Sequence, residues 1–208
     1  MKIIEPSYRI LKMDTPDHIY KGVEAIGRTC YMSEARSPNP EFFVRKLVQR
    51  GHWSVIEHFG MTVQFVVDRG VSHEWVRHRL TSQTQSSTRY CNFSKDRFGN
   101  EITVVLPLFW HKEELRFKIW KKAMEDAERS YFDLLNAGAI PEQARTVLTN
   151  SLATTITTTA NFRQWALMLD LRTSNFAHPQ IAEVMRPLLT EMKELLPAIF
   201  EDVGVVGR

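Results

Sequence analysis

Between Asn161 and Arg172 the chain reads NFRQWALMLDLR, so that Phe162, Trp165, Ala166, Leu167, Met168, Leu169 and Leu171 leave a helix almost no polar side. A surface helix carries one apolar stripe, whereas a helix apolar nearly all round is stable only where neighbours cover most of it. This segment must therefore pack inside its own fold or against another copy of the chain, and oligomerisation is expected. Asn161, with Gln164 three residues on, forms a capping box at its start. Helical spacing brings Asn161, Trp165, Met168 and Arg172 close to one face. A buried Arg172 guanidinium cannot shed its charge, so it needs a carboxylate, a phosphate or an electron-rich ligand atom. Asp170 and Glu183 are the candidate ion-pair partners along the chain.

The flanking sequence alternates helical and β-branched patterns, which makes the fold class α+β. Asp14-Thr15-Pro16 opens a first helix with Ile19, Val23 and Ile26 on its apolar face, and Asn39-Pro40 opens a second that stops at Gly51. MTVQFVV, from Met61 to Val67, reads as a strand, as do Ile102 to Leu106 and the run TTITTT from Thr154 to Thr159. Ser72 is the predicted cap of a helix reaching Leu80. A long helix is predicted from Glu113 to Asn136, its inner face including Phe117, Trp120, Ala123, Ala127, Tyr131 and Leu134, with Gly138 just past its end. Pro141 starts a helix through Leu148, and a last helix runs from Pro179 to Phe200, bent at Pro187. A single domain over residues 1–208 is expected, with a mixed or antiparallel sheet flanked by long helices.

Charged residues make up 25% and hydrophobic residues 43% of the chain, the balance of a folded globular protein rather than a disordered one. The formal net charge of +3 is mild and implies no general nucleic-acid coat. Two cysteines, Cys30 and Cys91, make no disulfide framework, and the N-terminus shows no signal-peptide pattern, so a cytoplasmic location is expected. No apolar run reaches the roughly 20 residues that span a bilayer, so no membrane partner is expected.

Chemistry concentrates in VRHRLTSQTQSSTRY, from Val76 to Tyr90. On a helix begun near Ser72, Arg77 and Arg79 would point to opposite sides, one to each of two ligands or to a ligand and a neighbouring subunit. Ser82 to Thr88 reads as a loop of short donors and acceptors around a polar ligand. Arg89, whose planar fork suits bidentate oxyanion binding, points to a phosphorylated ligand. The same residues also suit a solvated surface, or a nucleic-acid contact with Tyr90 stacked on a base. Asp68, Glu74 and Asp96 interrupt the basic track that a nucleic acid requires. In the cluster His52 to His58, HWSVIEH, the spacing fits neither HExxH nor HxxEH, so no metal site is expected.

Taken together, these blocks resemble the flavin-dependent thymidylate synthases. Arg77-His78-Arg79 is followed by seven residues and Ser87, then Arg89-Tyr90. Gly51-His52 with Ser54 and Glu57-His58 is similar to the family's upstream histidine motif. Ala144-Arg145 after Pro141, then Asn161, Arg163, Leu171-Arg172 and Ala177-His178, follow in family order. The resemblance implies a homotetramer with active sites shared between subunits, FAD as cofactor, and dUMP, methylenetetrahydrofolate and NADPH as substrates, without a cysteine nucleophile. It also implies the residue roles. Arg77, His78 and Arg79 contact FAD or nucleotide, while His52, Ser54, Asn161, Arg163 and position 167 lie at the flavin or folate. Glu74 and Gln85, Ser86, Ser87, Thr88 and Arg89 hold the nucleotide with Arg145, the loop from Gln85 also reaching the cofactor. Arg172 contacts the uracil ring and stabilises its ionised form.

Two positions depart from that pattern. Thr84-Gln85 stands where many members have Asn-Glu, and Leu167 where a histidine or asparagine often touches the flavin. Each replaces a polar contact. UMP or dCMP therefore stands beside dUMP as a substrate these departures would accommodate.

Overall fold

The computed structural model describes residues 1–30, 32–33 and 38–204. The chain folds as two compact units: residues 1–7, 65–77 and 84–156 form the first, and residues 8–30, 32–33, 38–64, 78–83 and 157–204 are the described part of the second.

In the first unit, strand β1 (Lys2–Ile4) lies parallel to β5 (Thr103–Val105), with Ile3 opposite Val104. Helix α4 (Leu115–Asn136) buries Phe117, Trp120, Met124 and Tyr131. Phe117, Trp120 and Met124 form one core with Ile102, Val104 and Leu152. Met124 rather than the predicted Ala123, which is exposed, completes the inner face. The predicted helix from Pro141 to Leu148 is a single turn, α5 (Pro141–Ala144), followed by a 3₁₀ turn (Arg145–Val147).

In the second unit, α1 (Pro16–Thr29) and α2 (Pro40–Gln49) pack together, each with a side-chain cap, Thr15 and Asn39, and a proline in its first turn. Helix α6 (Phe162–Thr173) packs against α7 (Pro179–Leu195) and a 3₁₀ helix (Trp53–His58). The predicted last helix is two, because the chain leaves helical geometry at Leu196 before α8 (Pro197–Phe200). Proline restricts the residue before it to extended backbone, which accounts for a break there. Pro187 lies inside α7.

Strands β2 (Ser7–Met13), β3 (Gly60–Asp68), β6 (Ala153–Asn161) and β4 (Ser82–Gln85) form a four-stranded sheet of order β2-β3-β6-β4. Thr62 Oγ1 meets Thr159 Oγ1 at 2.9 Å, and Gln64 donates to Thr157 at 3.4 Å, so β3 and β6 run antiparallel. The parallel β1-β5 pair is a separate two-stranded sheet, so the strands form two sheets where one was expected. Gly60 sets how closely the two long strands end: a Cβ there would stand 2.2 Å from the Ala160 carbonyl oxygen. Only glycine permits that approach. The Phe162 N–H then donates to the Phe59 carbonyl at 2.9 Å, and α6 starts directly off the sheet.

Helix α3 (Arg69–Trp75) corrects the predicted helix from Ser72 to Leu80. Its cap is Asp68, whose Oδ1 accepts from the Val71 N–H at 2.7 Å, while Ser72 is buried inside the helix. Arg77 and Arg79 lie beyond its end, so a helical rotation does not separate them. The predicted loop is also corrected, since Ser82–Gln85 is strand β4.

Candidate functional site

The Asn161 side chain accepts from the Gln164 N–H at 2.9 Å, giving α6 its start, and Trp165 locks the helix down by donating Nε1–H to the Met61 carbonyl at 3.0 Å. Phe162, Trp165, Met168 and Leu169 are wholly buried. Leu167 and Leu171 are not: each is 51% exposed within the chain. The sequence expectation of burial on most sides thus holds for the face turned to the unit's own core.

Beside Leu167 opens a cavity of about 760 Å³. Val48, Leu80, Ala166, Leu167, Ile199 and Val203 supply apolar walls, and Asn161, Glu57, Arg163 and Asp170 bring polar groups to it. Arg163 pairs with Glu57, leaving the remaining guanidinium donors for a ligand. Apolar walls with a few convergent polar groups, at this volume, fit a flat ring system with polar edges, such as that of a flavin. Of the upstream residues predicted at this cofactor, His52 and Ser54 are exposed and flank Trp53, which lines the cavity.

Arg172 is half-buried rather than buried, and its Nε–H donates to His78 Nε2 at 2.9 Å. This contact joins residues predicted separately. Burial, reinforced by the Arg172 guanidinium, pushes the His78 imidazole down to about 4. It is therefore neutral near pH 7, and because Nε2 accepts, its proton resides on Nδ1. Leu80, two residues on, takes a left-handed backbone (φ 57°), which costs an L residue about 1–2 kcal/mol. Thr81 Oγ1 donates to the His78 carbonyl at 3.1 Å and accepts from Gln83 at 2.9 Å, holding that turn.

A pH dependence follows. The unfolded histidine titrates near 6.5 and the folded one near 4, so between these values the unfolded chain binds more protons. His78 contributes stability that is fully present above pH 6.5 and is lost as pH falls toward 4, with a limiting slope of about 1.4 kcal/mol per pH unit. Urea unfolding at pH 7 and pH 5 should show a smaller loss for His78→Asn than for the parent chain. Equal losses would remove His78 as the cause.

Arg79 is exposed in the second unit, and the first unit holds the remaining predicted residues. Gln85 Nε2 donates to Ser72 Oγ at 2.9 Å and to Thr154 Oγ1 at 3.0 Å, and Ser86 Oγ meets Thr154 Oγ1 at 2.9 Å. An amide suits this position because it can donate to hydroxyls, which a carboxylate cannot. Thr88 is buried and accepts from Arg145 Nη1 at 3.4 Å. Arg89 Nε donates to Glu142 at 2.7 Å, so its Nη groups are the ones left to meet an anion. Arg77 is exposed in the turn after α3, and Ser87 accepts from the Arg89 N–H at 3.3 Å. Glu74 lies on α3 itself.

Among the described residues, no group of three His, Cys, Asp or Glu side chains is placed to hold a metal ion, and no helix is long and apolar enough to cross a membrane. Sequence reasoning missed the Arg172–His78 contact, which joins positions 94 residues apart.

Residues 13–198 match the model of the thymidylate synthase complementing protein family. The chain belongs to that family. It is 32% identical over 203 residues to the flavin-dependent thymidylate synthase of Geobacter sulfurreducens, with 93% of this chain and 85% of the relative covered. The flavin-dependent thymidylate synthase of Mycobacterium tuberculosis is 31% identical over 204 residues, covering 88% and 79%. In three dimensions the chain is similar to a UMP/dUMP methylase, PolB, from Streptomyces cacaoi, solved with 5-Br dUMP, at a TM-score of 0.78. The two share 21% identity, and the match covers 97% and 96% of the chains. At that identity the likeness shows the fold. The protein is thus an enzyme of the flavin-dependent thymidylate synthase type.

Proposed function

We propose that the protein methylates C5 of dUMP reductively, forming dTMP, with methylenetetrahydrofolate as carbon donor, FAD as cofactor and NADPH as reductant. The observation that carries this reading is the half-buried Arg172 cation, held through Nε against a neutral His78. A fixed positive charge beside a uracil ring stabilises negative charge developing on it, which raises electron density at C5. His78, being neutral, adds no second charge and leaves Arg172 the local cation.

The cavity beside Leu167 is the seat we assign to the flavin, with Asn161, Arg163, His52 and Ser54 as contacts and Arg79, next to the cavity-lining Leu80, at its rim, while Arg77 meets the cofactor of a neighbouring copy. When bound there, a reduced flavin supplies the hydride that completes the methyl group. Arg89, Arg145, Ser86, Ser87 and Thr88 hold the nucleotide phosphate through charge-assisted hydrogen bonds. The 1–208 chain acts as one catalytic domain in a cytoplasmic homotetramer, whose active sites combine residues of more than one copy. Leu171, 51% exposed on the same helix but outside the cavity, is a residue such an assembly would cover. Neither Cys30 nor Cys91 serves as a nucleophile.

A second substrate, UMP, is favoured by one observation: Gln85 turns its amide to Ser72 and Thr154, in place of the carboxylate that many relatives bring to the nucleotide. Anaerobic reduction of the FAD-loaded protein by NADPH, followed by flavin absorbance with dUMP, with UMP and with neither, tests both. Faster bleaching with dUMP, and dTMP formed on adding methylenetetrahydrofolate, is the expected result. Acceleration by UMP alone would replace the substrate, and indifference to both would overturn the reading.

A further inference from the structure

One wall of the cavity beside Leu167 comes from the turn after α8. Ile199, Asp202, Val203 and Gly204 supply it, and all four follow the family-matched residues 13–198. A short turn keeps such a position only where it is tied down, because ordering its backbone costs entropy. Two ties are present. Glu201 pairs with Arg45 of α2, and the Gly204 N–H donates to Asp170 Oδ1 at 2.9 Å. Between them Val203 is buried, and its N–H donates to the Phe200 carbonyl at 3.0 Å.

The helix α6 places Asp170 for this contact. Arg163, Leu167, Asp170 and the capping Ser174 follow at three- or four-residue spacing, hence on one face, and all four line the cavity. Gly204 has a left-handed backbone (φ 72°), and a Cβ there would stand 2.8 Å from Leu189 Cδ2 and 3.0 Å from Thr173 Oγ1. Glycine thus lets the amide settle between α6 and α7, within reach of the carboxylate. A backbone N–H on a carboxylate is charge-assisted and stronger than a neutral pair. We propose that Asp170 is a positioning residue of the cavity: its bond to Gly204 latches the turn from Asp202 to Gly204 as a wall against the bound ring system, and so governs how tightly that ligand is kept. This rests on the flavin reading above, and the test separates the two.

The test follows FAD release from the loaded, full-length protein on dilution, by flavin fluorescence, together with quenching of the bound flavin by iodide. Asp170→Ala should weaken FAD by about fivefold or more and give iodide readier access, since a wall has been freed. Its melting temperature without flavin should fall by no more than about 4 °C, because one exposed hydrogen bond is lost. Asp170→Asn keeps an Oδ1 acceptor and should bring affinity back to within about threefold of the parent. An aspartate that served stability alone would lower the melting temperature and leave iodide access as in the parent. Parental affinity and iodide access in Asp170→Ala, or equal losses in the Ala and Asn variants, would overturn the proposal. Should Asp170→Ala not fold, Gly204→Ala decides by the same two readouts, because its Cβ forces the turn away from α7. If the parent itself holds no FAD, the flavin reading fails on its own. Anilinonaphthalene sulfonate, an apolar ring probe, then decides the latch: weaker dye binding in Asp170→Ala than in the parent upholds it, and equal or tighter binding rejects it.

Discussion

Arg172→Ala is expected to lower turnover by about 10²–10³-fold or more, the loss seen when a donor to developing negative charge is removed from an active site, while FAD stays bound. Retention of the flavin is expected because the cavity walls assigned to it, from Leu80, Leu167, Ile199 and Val203, do not include Arg172. The same variant carries a readout independent of activity. The Arg172 guanidinium is one of the two causes that push His78 down to about 4, so its removal should raise the His78 pKa toward the ordinary imidazole range. A histidine titration followed by NMR checks this. Arg172→Lys keeps a charge but loses the planar fork, and partial activity is expected from it. Full turnover in Arg172→Ala would reject the catalytic role, whatever the fate of the histidine.

Trp165→Ala should destabilise the chain by about 4 kcal/mol, the usual cost of truncating a buried aromatic to alanine. Trp165 is fully buried and donates to the Met61 carbonyl at 3.0 Å. Truncation therefore leaves a cavity inside the second unit and removes the indole donor to the Met61 carbonyl. For a chain of this length the corresponding fall in melting temperature is about 10 °C. Flavin retention should fall as well, since α6 carries Arg163 and Leu167 into the cavity from positions that depend on how the helix seats. A melting temperature within about 2 °C of the parent's would show that the helix is held by other means.

The helices were legible because their signals are local. Thr15 and Asn39 cap α1 and α2 as their positions before proline foretell, and Asn161 caps α6. The cap of α3 was misread because two hydrogen-bonding side chains, Asp68 and Ser72, stand four residues apart, and either could have started a helix. Asp68 prevails since it closes β3 and reaches the Val71 N–H. The strands fared less evenly. MTVQFVV and TTITTT carry β-branched side chains and were found, whereas β4 is SQTQ, with no apolar residue to mark it. Its place is set by pairing, seen where the Ser86 N–H donates to the Thr155 carbonyl at 2.9 Å.

The candidate site divides in the same way. The candidate residues could be picked out along the chain, because Arg77-His78-Arg79 and the Ser/Thr run to Arg89 keep their spacing within one short stretch. How those residues are held could not. Side-chain periodicity and capping act over three or four residues, but a hydrogen bond between His78 and Arg172, or a Cβ excluded from Gly60 by the Ala160 carbonyl, exists only once distant segments have been brought together. Sequence alone determined the caps of α1, α2 and α6, the family and the charged inventory. Tertiary structure decided that His78 is neutral, that Leu167 faces a cavity and that Arg69 has a buried donor without an acceptor, because burial and charge proximity are properties of neighbours in space.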